Sequence, residues 1–396
     1  MMIPWEREIY VNLLIQYIKE EQDKAQSAKH DRNDEGIMGA AIGREEVSSS
    51  LQRSSKGTAP GTDEVYNELL IQGGDYIQEI LHLFFNVVWA QGHGPGEWDC
   101  ALVRPLYKPK AKDPLLVENY RAVTLINTMC KIYEDILCAR VVHHLETNRG
   151  LSPSQAGSRR FLGCTEMVYT LISAVKHRHE LKKEGTYACF IDFKLAYPST
   201  DQEVIFTKLH EKGVTGRLWR NIRAVYTNMR SRVIHPGIPK DDFFNIEIGV
   251  REGSVLSPIL FLVAVDDMRE YLANRPFQHA GPSAQTKPGH RHKRFKNTNQ
   301  PGLRIGNISV AILQYVDDAV LLARSPEELQ HMINVIAQYC SENRLTLNPK
   351  EGKTEIVEFL CAPSGKQYTV AAPTKEDEKS TATIHVKNVI NTWAGG

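Results

Sequence analysis

Apolar positions along the chain follow two spacings, and their alternation predicts the elements. From Tyr66 to Gln91 they recur at helical spacing, Ala101 to Tyr107 forms a short β-prone run closed by KPKAKDP, and Thr128 to Glu146 is helical again. Tyr187 to Asp192 reads as a strand, and Thr200 with Glu203 three residues later has capping-box spacing for a helix reaching about Lys212. Further helices are predicted over Leu218 to Arg230, Leu256 to Asn274 and Leu329 to Asn343, with a strand from Phe243 to Val250. The run AILQYVDDAVLLA, Ala311 to Ala323, predicts two short buried strands joined by a tight turn at Asp317-Asp318. The sum is an α+β plan, a mostly antiparallel sheet flanked by helices. Two stretches break the pattern. Residues from about 25 to 58 are polar and predict a linker or short exposed helices, and Arg275 to Arg304 is a basic, Pro- and Gly-rich surface loop.

Composition narrows the class. With 396 residues, 42% of them hydrophobic, the chain can bury a sizeable core. A net charge of +1 means that any nucleic-acid surface must come from local clustering of cations. The longest apolar run, Ile259 to Val265, is too short to span a bilayer, so no membrane is expected. The amino terminus reads as an amphipathic helix rather than a signal peptide. Seven cysteines without a C-x-x-C pair suggest neither a disulfide framework nor a zinc site. These features predict an intracellular protein, nuclear or cytoplasmic and not secreted.

The informative chemistry is acidic. Asp317 and Asp318 sit inside an apolar run, and buried charge is costly unless something compensates it. Asp192 ends a second β-prone run. Carboxylates converging from a strand end and a hairpin turn suit divalent ions such as Mg²⁺, which takes hard oxygen ligands and relies on few protein carboxylates plus substrate phosphates. Two such ions can run phosphoryl transfer. An Asp-Asp turn is also ordinary turn chemistry, so the reading depends on the companions of these residues.

Those companions resemble, in order, the motifs of reverse transcriptases, closest to the non-LTR (LINE-type) retrotransposon enzymes and their group II intron relatives. KGTAPGTDEVYNELL is similar to the family's K-x-P-G-x-D-x-I block, WDCALVRPLYKPK and ENYRAVTLINTMCKIYEDIL to its fingers, and LSPSQAGSRR to its Q-x-G-F-R block. FIDFKLAY, GVREGSVLSPILF and YVDD resemble the three palm motifs, and LTLNPKEGKTE the motif that follows. The resemblance implies a right-hand polymerase architecture of fingers and palm, with Asp192, Asp317 and Asp318 as catalytic aspartates and Asp192 and Asp317 as the ligands of two Mg²⁺ ions, or of Mn²⁺ in their place. It implies that Lys108 and Arg121 hold the nucleotide triphosphate, that Tyr197 is a steric gate under the sugar, and that Glu252 and Gly253 approach the nucleotide. Lys353 matches a lysine suspected of protonating pyrophosphate. Arg159 matches a nucleic-acid contact, and the loop cations Lys287, Arg291, Lys293, Arg294 and Lys296 suit a phosphate backbone. The implied partners are an RNA template, a DNA or RNA primer and deoxynucleoside triphosphates.

The departures from the family pattern are specific. Glu252 stands where glutamine is usual and adds a negative charge near the triphosphate; Pro198, Ala122 and Ser158 replace an Asp, a proline and an aromatic residue. No metal ligand is lost. The expected organisation is an amino-terminal helix and polar linker over 1–55, fingers over 56–186, palm over 187–361 with the basic loop at 275–304, and a truncated primer grip or disordered tail over 362–396, the thumb being largely absent. The rival reading is a catalytically inactive, truncated nucleic-acid-binding remnant or scaffold on the same fold. An RNA-copying viral polymerase is disfavoured by Tyr-Val-Asp-Asp and by Tyr197.

Overall fold

The computed structural model of the chain describes residues 36–109, 113–159, 162–182, 184–239, 242–277, 300–306, 308–350 and 353–359, and the strands at 370–373, 381–384 and 386–389. They form two compact units that are discontinuous in sequence: Met1–Gly150 with Asp201–Leu260, and Leu151–Thr200 with Phe261–Gly396. The contiguous ranges expected from the sequence do not follow this division. Residues 151–186 belong with the second unit and 201–260 with the first.

In the first unit the hairpin of Cys100–Tyr107 and Tyr120–Leu125 pairs antiparallel with Leu106 opposite Arg121, and Arg230–Val233 runs parallel beside it. The strand Tyr120–Leu125 escaped the sequence pattern because only Thr124 in it is buried, so it has no alternation to read. Helices Gly74–Gln91 and Thr128–Thr147 bury Phe85, Trp89, Tyr133 and Ile136, and Phe85 and Tyr133 meet Trp98 in an aromatic cluster. Tyr66 to Gln91 is two helices, Asn67–Gln72 and Gly74–Gln91, and Leu218 to Arg230 shortens to Gly216–Val225 because Arg230 opens a strand. Phe243 to Val250 is a strand only at Phe244–Asn245. The helix Gln202–Glu211 is capped by Asp201, whose carboxylate accepts from the Glu203 and Val204 N–H groups, rather than by Thr200.

The described part of the expected polar linker is a packed helix. Arg44–Arg53 buries Val47 and Leu51 behind Ile42. Its polar neighbours hid that face by bonding inward: Arg140, 2% exposed, pairs with Glu46 at 2.7 Å and donates to the Ala40 and Ala41 carbonyls. Burial, the largest single influence, would raise the Glu46 carboxyl, yet the Arg140 hydrogen bonds, the Gly43 N–H and the Arg140 charge together outweigh it and hold the group below its ordinary range.

The second unit carries a five-stranded sheet in the order Val386–Val389, Glu355–Phe359, Thr186–Ile191, Asp318–Ala323, Ile312–Tyr315, antiparallel except for the first pair. Alternate residues on the central strands face opposite cores, as the two-residue period requires. Cys189, Ile191 and Leu321 meet Met332, Ile336 and Tyr339 of the helix Pro326–Glu342. Ala188, Leu313, Val320 and Leu322 meet Ala174 of the helix Cys164–His177 and Leu303 of the small hairpin Leu303–Ile305 and Ile308–Val310. Leu256 to Asn274 is two helices, Ser257–Val265 and Met268–Ala273, because Asp266 leaves helical pairing and accepts the Ser152 N–H at 2.9 Å. Within the expected tail, Val370–Pro373 pairs antiparallel with Thr381–Ile384, and Val386–Val389 joins the main sheet. Residues 1–35 with the predicted amphipathic helix, Lys287 to Lys296 with the loop cations, and Cys361 lie outside the described residues. Among the described residues the six cysteines are free and no helix is long and apolar enough to cross a membrane.

Candidate active site

Strand register brings the predicted carboxylates of the second unit to one end of its sheet. Ile191 pairs with Ala319, so Asp192 leaves its strand beside the start of the strand that Asp318 opens. Tyr315 pairs with Asp318, which makes Val316 and Asp317 the two turn residues. The turn is therefore shifted by one residue from the Asp-Asp turn read in the sequence, with Asp317 half-buried and Asp318 exposed at the strand's first position. Burial, and then the charges of Asp318 and Asp192, push the Asp317 carboxyl above its ordinary range against the pull of its own N–H and of Lys353.

Asp192 is fixed by the segment after the long helix. Asn348 Nδ2 donates to Asp192 Oδ2 at 2.7 Å, and Lys353 Nζ lies 3.4 Å from Oδ1. The backbone is tied as well, with Asn348 N–H on the Asp192 carbonyl at 2.9 Å and Asp192 N–H on Thr354 Oγ1 at 3.3 Å. Lys353 was identified from its motif; Asn348 was not. Its only signal in the sequence was its place in the same short block.

Among the described residues no three His, Cys, Asp or Glu side chains converge as a ready-made metal cage. That is compatible with Mg²⁺, which usually takes one or two carboxylates and completes its shell from water and substrate phosphates. The donor set fits: hard oxygens from Asp192 and Asp317, with an Asp317 carboxyl that burial, and after it the Asp318 and Asp192 charges, raises and that a divalent cation would hold ionised. A cavity of about 370 Å³ opens beside these groups, lined by Asp192, Asp318, Lys353, Phe190, Tyr315 and the helix residue Cys164. Its size is within the range of small-molecule sites.

Tyr197 lies on the short helix Ala196–Ser199, five residues past Asp192. Its ring stacks on Phe261 with centroids 5.3 Å apart and planes 20° from parallel. Phe261 is itself buried in the core, so the tyrosine ring has a rigid backing. Arg159 donates from Nη1 to the Ser152 and Gln155 carbonyls at 3.1 Å each, so the predicted nucleic-acid contact also ties down its own loop.

The first unit groups four of the predicted nucleotide-binding residues, Lys108, Arg121, Glu252 and Gly253, while Tyr197 and Lys353 belong to the second. Arg121 is exposed on the strand Tyr120–Leu125, and Lys108 follows the end of the partner strand, its N–H on the Asn119 carbonyl at 2.9 Å. Burial raises the Glu252 carboxyl, while the Lys108 and Arg121 charges pull it back, so all three lie within electrostatic reach of one another. The Glu252 carbonyl accepts the Thr124 N–H at 2.7 Å, and Gly253 follows with φ of +127°. Arg251 donates to the Trp98 and Asp99 carbonyls, and Ser257 Oγ donates to the Arg251 carbonyl at 2.7 Å. Glu134, fully buried on the helix Thr128–Thr147, accepts from Ser254 Oγ at 2.7 Å and from the Val255 N–H. This anchor was missed because an acid within a helical apolar pattern reads as an exposed position.

Residues 108–380 match the family profile described as reverse transcriptase (RNA-dependent DNA polymerase). The chain is 25% identical over 324 residues to the RNA-directed DNA polymerase from mobile element jockey of Drosophila funebris, covering 80% of this chain and 32% of that protein. It is 25% identical over 302 residues to the retrovirus-related Pol polyprotein from type-1 retrotransposable element R2 of Nasonia vitripennis, covering 75% of this chain and 26% of that one. The chain thus spans about a third or less of the length of these relatives. A solved structure of apo telomerase from Candida Tropicalis, truncated from its C-terminal domain, aligns at a TM-score of 0.47 and 12% identity over 77% of this chain and 64% of that one.

Proposed function

Because the chain belongs to the reverse transcriptase (RNA-dependent DNA polymerase) family, with relatives among non-LTR retrotransposon polymerases, we propose that it adds deoxynucleotides to a primer 3′-hydroxyl on an RNA template. The observation that carries the reading is the clamp of Asn348 and Lys353 on Asp192 beside the Val316-Asp317 turn and the strand that Asp318 opens. The chemistry a pair of Mg²⁺ ions, or Mn²⁺, supplies when held by Asp192 and Asp317 is activation of the attacking hydroxyl and neutralisation of the leaving oxygen. Asp318, exposed beside them, adds negative potential on the same side. In this reading Lys353, paired with Asp192 at 3.4 Å, gives a proton to departing pyrophosphate. Lys108 and Arg121 neutralise the triphosphate without covalent chemistry, and the Gly253 backbone leaves room for the nucleotide. Arg159 and the loop cations Lys287, Arg291, Lys293, Arg294 and Lys296 serve the nucleic-acid backbone in this reading. In this reading the fingers are 56–186 and the palm 187–361, ranges that the two compact units cut across.

The test is primer extension on an RNA template with Mg²⁺, comparing the chain with its Asp317→Ala variant. Extension by the first and not by the second supports the reading. Extension absent from both overturns it and leaves RNA binding as the function to measure.

Two further outcomes follow from the side chains. Tyr197, backed by Phe261, blocks a 2′-hydroxyl, so Tyr197→Ala lowers discrimination against ribonucleotides by roughly tenfold or more. Competitive incorporation of matched ribo- and deoxynucleotides measures it, and an unchanged ratio removes the gate assignment. Glu252 competes with the triphosphate for Lys108 and Arg121. Glu252→Gln therefore lowers the nucleotide KM by roughly three- to tenfold, a partly exposed charge being worth about 1 kcal/mol. Since the Glu252 carboxyl is raised, wild-type KM falls as pH is lowered toward its titration, and the Gln variant loses that part of the dependence.

A further inference from the structure

Val316 is the residue of the Asp hairpin least suited to its own backbone. Its φ is +57°, a region that a β-branched side chain avoids. The signs of φ, positive at Val316 and not at Asp317, are those of a type II′ turn, whose hand suits the twist of the flanking strands. Glycine takes the first position of such a turn without help; valine needs a surrounding that over-determines it.

That surrounding comes from the segment Ser154 to Gly157 in the same unit. It runs along the hairpin's edge, with the Ala156 N–H on the Gln314 carbonyl at 2.9 Å and the Gln314 N–H on the Ser154 carbonyl at 2.8 Å. Gln155, fully buried, then reaches round the end of the strand. Its Oε1 accepts the Val316 N–H at 3.0 Å and the Gly157 N–H at 2.9 Å, and its Nε2 faces the Val316 carbonyl at 3.5 Å. Gly157 lies so close that a Cβ there would overlap the Val316 nitrogen and Cγ2. One side-chain amide thus satisfies Val316 as a neighbouring strand would, and the missing side chain at 157 makes the space for it.

We propose that Gln155 and Gly157 are positioning residues for nucleotidyl transfer, holding Val316 in its left-handed conformation so that the next residue, Asp317, is presented in one orientation. The proposal rests on the polymerase reading of the same site. A Gly at 316 would adopt the turn unaided but would leave Asp317 on a loose hinge. Val316 also packs against the main core of the unit, so a held valine makes the turn rigid. Geometry of this kind is worth much in rate, because a displacement of about 1 Å at a reacting group can cost about a hundredfold.

The experiment compares wild type, Gln155→Ala, Val316→Gly and the double variant by steady-state primer extension on an RNA template, by amide exchange across 313–320, and by Tm. Gln155→Ala is expected to lower kcat by about 30- to 100-fold with the nucleotide KM within about threefold of wild type. Exchange at the Val316 amide is expected to speed up by about tenfold or more while exchange in the helix Pro326–Glu342 does not change. Adding Val316→Gly to Gln155→Ala is expected to recover about tenfold of the lost kcat, since glycine needs no support at that φ. A role for Gln155 in packing alone gives a kcat loss that follows Tm and no recovery from Val316→Gly, and that result overturns the proposal, as does a Gln155→Ala chain with wild-type kcat. Should Gln155→Ala not fold, Gln155→Glu keeps an acceptor at the same place, and its kcat is expected to fall as rising pH ionises the buried carboxyl; a wild-type pH profile overturns the proposal. A wild type that extends no primer removes the polymerase reading, and exchange at Val316 then decides the hold by Gln155 separately, an unaltered rate in Gln155→Ala overturning it.

Discussion

Primer extension by an Asp317→Asn variant falls by about a thousandfold or more, while its Tm rises by roughly 1–3 °C. The two effects share a cause. Burial and the neighbouring Asp318 and Asp192 charges raise the Asp317 carboxyl above the ordinary aspartate value of 3.8, so the folded protein binds that proton more tightly than the unfolded chain does. The resulting stability is present below the unfolded value and is lost as pH rises through the folded one, which leaves the ionised carboxylate a burden at neutral pH. Asparagine removes the burden and with it the charge that a metal ion needs. The gain in Tm is small because the side chain is only half-buried and solvent screens it. Mg²⁺ should raise the Tm of wild type and not of the variant, as mass action requires of a ligand bound by the folded state. Scanning calorimetry with and without Mg²⁺, beside the extension assay, checks both; a variant less stable than wild type at pH 7 contradicts the electrostatic account.

Gly253→Ala damages the first unit and its handling of nucleotide together. The φ of +127° at Gly253 belongs to a region that residues with a side chain rarely enter, and a methyl there would overlap the carbonyl oxygen of Thr124. Thr124 is also the residue whose N–H is held by the Glu252 carbonyl, so relieving the overlap breaks the bond that docks this turn on the strand of Arg121. Strain and overpacking together destabilise by about 2–4 kcal/mol, a loss of roughly 5–10 °C in Tm for a unit of this size. Because Arg121 and Lys108 lose their fixed relation to the turn, the nucleotide KM should rise by about tenfold or more while kcat at saturation changes less. Thermal melts and nucleotide titrations at constant primer and template measure the two effects, and a variant with wild-type Tm refutes the steric argument.

What could be read from sequence was what a short block carries. Asp192, Asp317, Asp318, Tyr197 and Lys353 lie in blocks whose order and residue types announce them, and the structure brings Asp192, Asp317, Asp318 and Lys353 together at one sheet end. The roles of Asn348 and Gln155 were illegible for a different reason: an amide in a loop has no chemistry of its own, and its value lies in what it meets 156 or 161 positions away, the Asp192 carboxylate for Asn348 and the Val316 N–H for Gln155. Nothing in the sequence signals that Glu134 is buried, since only the fold brings Ser254 Oγ and the Val255 N–H to its carboxylate. The turn at Val316-Asp317 differs by one residue from the Asp-Asp turn expected, since strand pairing decides where a hairpin closes and residue type only biases it. Element boundaries failed where burial was uneven, as in the strand Tyr120–Leu125, and the units are discontinuous because the helices Gln202–Glu211 and Gly216–Val225 return to the first unit after the chain has contributed Thr186–Ile191 to the other.

The bond network around Arg140 sets a lower limit on how far the chain can be trimmed. The matched profile begins at residue 108, and a fragment cut there would keep the helix Thr128–Thr147 with its guanidinium but discard Glu46 and the carbonyls of Ala40 and Ala41. Removing one partner of a buried pair costs about 3–5 kcal/mol, and the same cut strips away Phe85, Trp89 and Trp98, which cover that helix. Fragment boundaries for expression therefore belong before residue 37, whose carbonyl also accepts from Arg140, some seventy residues upstream of where sequence similarity to the profile starts.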